Sequence, residues 1–87
     1  MNYVYVLRSK VDKELYIGST NDLRRRLSEH NEGKVYSTRL RIPFELVYYE
    51  AYLSENDARI RESRLKQRGQ ARVHLLNRLK DSLQGES

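Results

Sequence analysis

The chain has no cysteine and no tryptophan, and only one proline and four glycines in 87 residues. Without cysteine it has neither a disulfide nor a thiolate metal site, which suits a reducing compartment. No apolar run approaches membrane-spanning length. The apolar start, Met1 to Leu7, is short, lacks a basic leader and runs into charge, so it does not read as a signal peptide. The expectation is a soluble, cytoplasmic protein. A Gly-rich phosphate loop, a nucleophile elbow, internal repeats and low-complexity tracts are all absent. His30 and His74 lie too far apart for a recognisable zinc motif.

What remains is one small domain with a limited core, expected over residues 1–84 with a frayed tail at 85–87. Acidic residues are outnumbered, 12 against 17 basic, for a net charge of +5. The excess is concentrated. Arg24 to Arg41 holds six basic and two acidic residues, and Arg59 to Arg72 holds six basic residues and one acidic one, Glu62. A merely solvated helix face mixes the signs more evenly. This patterning points to a phosphate-rich partner, nucleic acid. Arg24, Arg25, Lys34, Tyr36, Arg39, Arg41, Lys66 and Arg68 are the candidate contacts.

Strand chemistry appears first. Tyr3–Arg8 and Glu14–Ser19 are β-branched and aromatic, and a polar turn at Ser9–Lys13 joins them. A turn centred between Lys10 and Val11 sets Tyr5 directly opposite Tyr16, on one face of the hairpin. A slip of two residues leaves the phenols diagonal and near, and a slip of one separates them. Such tyrosine pairs are most often packing, so a catalytic role does not follow from the hairpin alone. The first strand carries Tyr3, Tyr5 and Leu7 on one face and Val4 and Val6 on the other, which predicts a central, doubly covered strand. Gly18 leaves room for a close approach.

Asp22 to Asn31 is expected to be a helix, capped by Thr20 or Asn21 and stopped at Gly33. Leu23 and Leu27 face the core, and Arg26 and His30 run along the edge of that stripe. Arg26 there serves either to snorkel or to function. Glu32 to Ile42 reads as a basic loop whose Tyr36, Ser37 and Thr38 suit phosphate contact. Phe44–Tyr52 is the third strand, with Phe44, Leu46, Tyr48 and Tyr52 on one face and Val47, Tyr49 and Ala51 on the other. Ser54, with Asp57 three residues on, opens a second helix to about Gln67. Glu62 falls between Ala58 and Leu65 on its apolar stripe. A carboxylate there is either paired with an arginine or chemically employed. A third helix, about Ala71–Leu83, presents Leu75, Leu76, Leu79 and Leu83.

The order is ββαβαα: an α+β fold with a three-stranded antiparallel sheet flanked by helices. Tyr3-Val4-Tyr5, ten residues, Tyr16-Ile17-Gly18, then Asp22-Leu23 and Arg26-Leu27, resembles the GIY-YIG nuclease domain. His30-Asn31, Val47 to Glu50 and Ala58–Lys66 resemble its small single-domain branch, which is related to the excinuclease nuclease module. The resemblance covers about Asn2 to Leu79. Tyr3 stands where the family name has glycine, and Ser19 stands where the excinuclease type carries a lysine.

The resemblance implies a metal-dependent endonuclease acting on double-stranded or branched DNA, in repair or recombination, as a monomer or weak homodimer. Tyr5 and Tyr16 correspond to the two motif tyrosines, Arg26 to the catalytic arginine, and Glu62 to the glutamate that holds one Mg²⁺ or Mn²⁺. His30 matches a histidine found in many members, and Asn77 falls near a late asparagine of some. On this pattern a phenol takes the proton of the attacking water, Arg26 stabilises the phosphate charge, and the metal stabilises the leaving 3′ oxygen. The alternative is a nucleic-acid-binding module of the same fold without useful catalysis, which Ser19 in place of the lysine favours.

Overall fold

The first strand is buried without interruption from Val4 to Ser9 because it lies in the middle of the sheet. The computed structural model describes residues 1–67 and 69–84. Strand β1 (Asn2–Ser9) is flanked by β2 (Leu15–Thr20) and β3 (Phe44–Tyr52), both antiparallel to it, in the order β2-β1-β3. Helix α1 (Leu23–Asn31) and a 3₁₀ turn at Tyr36–Thr38 lie between β2 and β3. Helices α2 (Glu55–Lys66), α3 (Gln70–Arg78) and α4 (Lys80–Gln84) follow. The three-stranded α+β architecture expected from the sequence is the one observed.

The period-two pattern of β1 divides the core into two. Val4 and Val6 join Ile17 of β2 and Ala58, Leu65, Leu75 and Leu79 of the C-terminal helices. Tyr5 and Leu7 point the other way, to Phe44, Tyr16 and the α1 residues Leu23 and Leu27. Ser54 caps α2 as expected, accepting from the Asp57 amide. Helix α1 is capped by Asp22 itself, not by Thr20 or Asn21. Asp22 Oδ1 accepts from the Arg25 amide at 3.1 Å, while Thr20 Oγ1 accepts from the Asp22 amide.

Three further expectations are corrected. First, Tyr5 pairs with Gly18 and Leu7 with Tyr16, so the two phenols are diagonal. The turn is centred one residue later than expected. Ser9 closes it, bonding Glu14 O and Lys13 N through its backbone at 3.0 Å and accepting from the Val11 and Asp12 amides at its Oγ. Lys13 completes the turn with a φ of 64°. Second, β3 does not alternate strictly. A bulge at Val47 lets Val6 pair with Tyr48 but Leu7 with Leu46. Phe44 and Leu46 therefore face α1, whereas Val47, Tyr48 and Tyr52 pack with the α2 side. β3 is an edge strand, and its Tyr49 is half exposed beside Tyr3. Third, the last helix is broken at Leu79, whose amide bonds to both Leu75 O and Leu76 O. The break turns the chain so that Leu83 O accepts from Arg8 Nη1 at 2.7 Å. Residues 85–87, expected to fray, lie outside the described residues.

Candidate active site

Gly18 decides how Tyr5 sits. A Cβ placed on Gly18 would lie 2.5 Å from Tyr5 Oη and 2.6 Å from its Cζ, so the phenol ring occupies the space a side chain would need. From there Tyr5 Oη reaches His30 Nε2 at 2.9 Å. His30 is fully buried at the end of α1, and its Nδ1 lies 2.8 Å from Thr38 Oγ1. The Thr38 hydroxyl points to Val35 O. With that contact at 3.5 Å, we assign the tautomer in which Thr38 Oγ1 accepts from His30 Nδ1–H and the Nε2 lone pair accepts the Tyr5 proton. Tyr16 packs on the same histidine, with ring centroids 5.0 Å apart, and lies 6.3 Å from the Tyr5 ring.

The electrostatics follow from burial. Loss of water pushes the Tyr5 phenol up to about 12, against the pull of the neighbouring Arg26 guanidinium. Burial, then the Arg26 charge, pushes His30 down to about 4, so the imidazole is neutral at pH 7. Arg26 is half-buried and bonds Glu29 Oε1 at 3.1 Å. It lines a cleft of about 300 Å³ with Asn2, Ser19, Arg25, Glu29 and Arg59.

Glu62, on α2, lies in a separate depression with Ser63, Lys66 and Gln67, joined to this cleft by Arg59. Ser19 Oγ donates to its Oε1 at 2.6 Å, and Lys66 Nζ lies 2.7 Å from its Oε2. Burial alone would raise the carboxyl, but the Lys66 and Ser19 bonds outweigh it and hold it below its ordinary value. The carboxylate is close enough for its charge to be felt at Tyr5. Among the described residues no group of three or more His, Cys, Asp or Glu side chains gathers to hold a metal. Glu62 is a single ionised oxygen donor. That fits Mg²⁺ or Mn²⁺, since hard cations keep several waters and are bound through one or two carboxylates together with substrate phosphate.

The GIY-YIG catalytic domain matches residues 1–79, a span that holds every residue of this arrangement. The chain belongs to the GIY-YIG family. A UPF0213 protein of Streptococcus pyogenes serotype M3 is 48% identical over 67 residues, 76% of this chain and 72% of that one. A UPF0213 protein of serotype M5 is 46% identical over the same shares. The solution NMR structure of a UPF0213 protein from Bacillus halodurans is 39% identical, with a TM-score of 0.55 over 92% of this chain and 86% of that one. These relatives place the chain in the small single-domain branch of GIY-YIG proteins.

Within this GIY-YIG domain the five expected catalytic positions fall into two groups. Tyr5, Tyr16, Arg26 and His30 lie together, and Glu62 stands apart on α2, tied to Ser19 of the Arg26 cleft. The expected DNA contacts are scattered. Arg25 lines the cleft, and Arg24 lies on the other side of α1, in a groove with Tyr3 and Tyr49. Lys34 pairs with Glu32, and Lys66 with Glu62. Arg41 bonds Asp12 at 2.7 Å and ties its loop to the hairpin turn. Arg39 stacks on an exposed Tyr36. Arg68 lies outside the described residues. Thr38 is not a phosphate contact, because it is fully buried against His30. Asn77 is exposed on α3.

Three residues of the site and its support do not stand out in the sequence. Thr38 carries no signal beyond a hydroxyl in a loop. Arg59 belongs to the basic run, one helical turn before Glu62 and Ser63, and it lines both the cleft and the depression around Glu62. Glu50 is turned inward by the bulge. There it accepts from Tyr52 at 2.6 Å, from Tyr48, and from Arg61 twice at 2.9 Å. That cluster braces α2 against β3.

Proposed function

We propose that this protein is a metal-dependent DNA endonuclease that hydrolyses phosphodiester bonds, in repair or recombination. The carrying observation is the Tyr5–His30–Thr38 hydrogen-bond chain, with Arg26 beside its phenol and the Glu62 charge acting on it. Membership of a nuclease family implies DNA as the substrate, and such nucleases generally use a divalent metal.

Tyr5 is the base. Moving its proton to His30 in the resting protein is uphill by on the order of 10 kcal/mol, given values of about 12 and about 4. No phenolate is therefore stored. The phenol gives its proton to His30 Nε2 as it takes one from the attacking water, so only a proton shift occurs along a prearranged line. Thr38 fixes the tautomer that leaves Nε2 free to accept. Arg26 binds the non-bridging phosphate oxygens and stabilises their growing charge; such preorganised donors are worth about 10²–10³ in rate. Tyr16 holds the His30 ring edge-on. Glu62 would hold the Mg²⁺ or Mn²⁺, which when bound supplies Lewis-acid stabilisation of the departing oxygen. Lys66, now paired with Glu62 at 2.7 Å, would be free to meet phosphate if that carboxylate held the metal instead.

The second reading, a binding module, draws support from both Glu62 oxygens being engaged and from Ser19 in place of the lysine. Incubation with supercoiled plasmid and with a branched DNA at low salt separates the two, low salt being chosen because binding is ionic. The nuclease reading expects nicking with Mg²⁺ or Mn²⁺ that stops with EDTA. Binding without nicking under either metal overturns it.

A further inference from the structure

The loop between α1 and β3 exposes side chains that neither the fold nor the proposed chemistry uses. Tyr36 is 79% exposed and Leu40 is 80% exposed. The loop is well anchored all the same. Thr38 is bonded to His30 at 2.8 Å, Arg41 Nε to Asp12 at 2.7 Å, and Arg41 O accepts from Ser9 Oγ at 2.6 Å. Arg39 backs the Tyr36 ring. Its guanidinium carbon lies 4.0 Å from the ring centroid, and its Nη1 donates to Tyr36 O at 2.9 Å. The phenol is thus held by a cation on one side and open to solvent elsewhere. From Lys34 to Phe44 the chain has three basic residues and no acidic one.

We propose that Tyr36 is a stacking platform for an unpaired nucleobase, which gives the protein a preference for gapped over fully paired DNA. This rests on the nuclease reading and narrows its substrate. A flat aromatic face beside cations matches a nucleotide, which brings a π-face and a phosphate together. An apolar protein partner would bury the Arg39 guanidinium, which pairs with no carboxylate among the described residues. The base has to be unpaired because both faces of a base inside a duplex are already stacked. The platform is also near the chemistry. Tyr36 is two residues from Thr38, so their Cα atoms are at most about 7 Å apart, and Thr38 touches the histidine that bonds Tyr5.

The test is binding in EDTA, so that the DNA stays intact. One duplex carries a short gap with 2-aminopurine as the unpaired base, and its control is fully paired. Wild type and Tyr36→Phe are expected to bind the gapped DNA about tenfold more tightly and to quench the probe. Tyr36→Ala is expected to lose the quench and that tenfold preference for gapped over paired DNA. Arg39→Ala should weaken the quench. An exposed side chain at Tyr36 predicts unchanged thermal unfolding, which is measured alongside. If Tyr36→Ala keeps the preference and the quench, or loses gapped and paired DNA equally, the platform is refuted while the nuclease reading stands. If wild type binds neither DNA, both fail.

Discussion

Replacing Gly18 by alanine tests whether the position of Tyr5 is built into the hairpin. In an ordinary strand the change should help slightly, by about 0.4–1 kcal/mol, since alanine has less unfolded-state freedom to lose. Gly18 lies opposite Tyr5, and a new Cβ would meet Oη at 2.5 Å, Cζ at 2.6 Å and Cε2 at 3.1 Å. The ring cannot swing away freely, because Tyr5 is only 2% exposed and its hydroxyl is bonded to His30. Overpacking of this kind costs about 1–3 kcal/mol. For a domain of this size that lowers Tm by roughly 5–20 °C. Displacing Oη also breaks the bond to His30, so cleavage should fall at least as far as in Tyr5→Phe. A second background isolates the cause. In Tyr5→Leu, which removes the ring, adding Gly18→Ala should cost little further stability. Thermal unfolding of the four proteins measures this coupling. A Gly18→Ala protein with wild-type Tm and cleavage, or one equally destabilised in the Tyr5→Leu background, would refute the reasoning.

The remaining predictions concern the network and its support. Because His30 is held at about 4, the unfolded chain binds the extra proton first as pH falls. Its contribution is therefore intact above about pH 6.5 and is lost progressively between 6.5 and 4, up to about 3 kcal/mol; unfolding midpoints of wild type and His30→Gln across that range should converge at the acid end. Thr38→Val removes the acceptor for Nδ1–H and is expected to cost about 1–3 kcal/mol in denaturant titration, with a fall in cleavage rate at unchanged DNA affinity. Glu50→Ala strands Arg61 and the Tyr48 and Tyr52 hydroxyls, and should cost about 3–5 kcal/mol in the same titration without changing the rate per folded molecule. Glu62→Gln should abolish Mg²⁺-dependent cleavage in a nicking assay while DNA binding holds or tightens, because a negative charge facing phosphate is removed.

Much of this arrangement is legible in the residues. The alternation of β1 states that it is central, and the Ser54–Asp57 pair marks the start of α2 where the structure has it. The spacing puts Arg26 at the edge of the α1 stripe, where the structure has it, but His30, expected at that edge, is fully buried; Glu62 falls on the apolar side of α2 and is paired there with Lys66 and Ser19. What stays illegible depends on long-range fit. The hairpin register lies two residues from the expected one because it is set by Ser9 side-chain bonds and by Tyr5 lying over Gly18, neither visible in propensities. The Val47 bulge has no local signature. It follows from satisfying two different cores on one edge strand, and it alone brings Glu50 inward. Thr38 reads as a surface hydroxyl because its partner, His30, is eight positions back and meets it only through the loop's tertiary path.

Single-turnover cleavage of one labelled DNA, by wild type and by Tyr5→Phe, Arg26→Ala, His30→Ala and Glu62→Ala, tests the central claim most directly. Each variant is first shown to be folded and to bind that DNA in EDTA. Mg²⁺- or Mn²⁺-dependent cleavage by wild type is expected, with losses of about 10²-fold or more in Tyr5→Phe, Arg26→Ala, His30→Ala and Glu62→Ala. Cleavage at the wild-type rate by folded Tyr5→Phe or Glu62→Ala would contradict that claim.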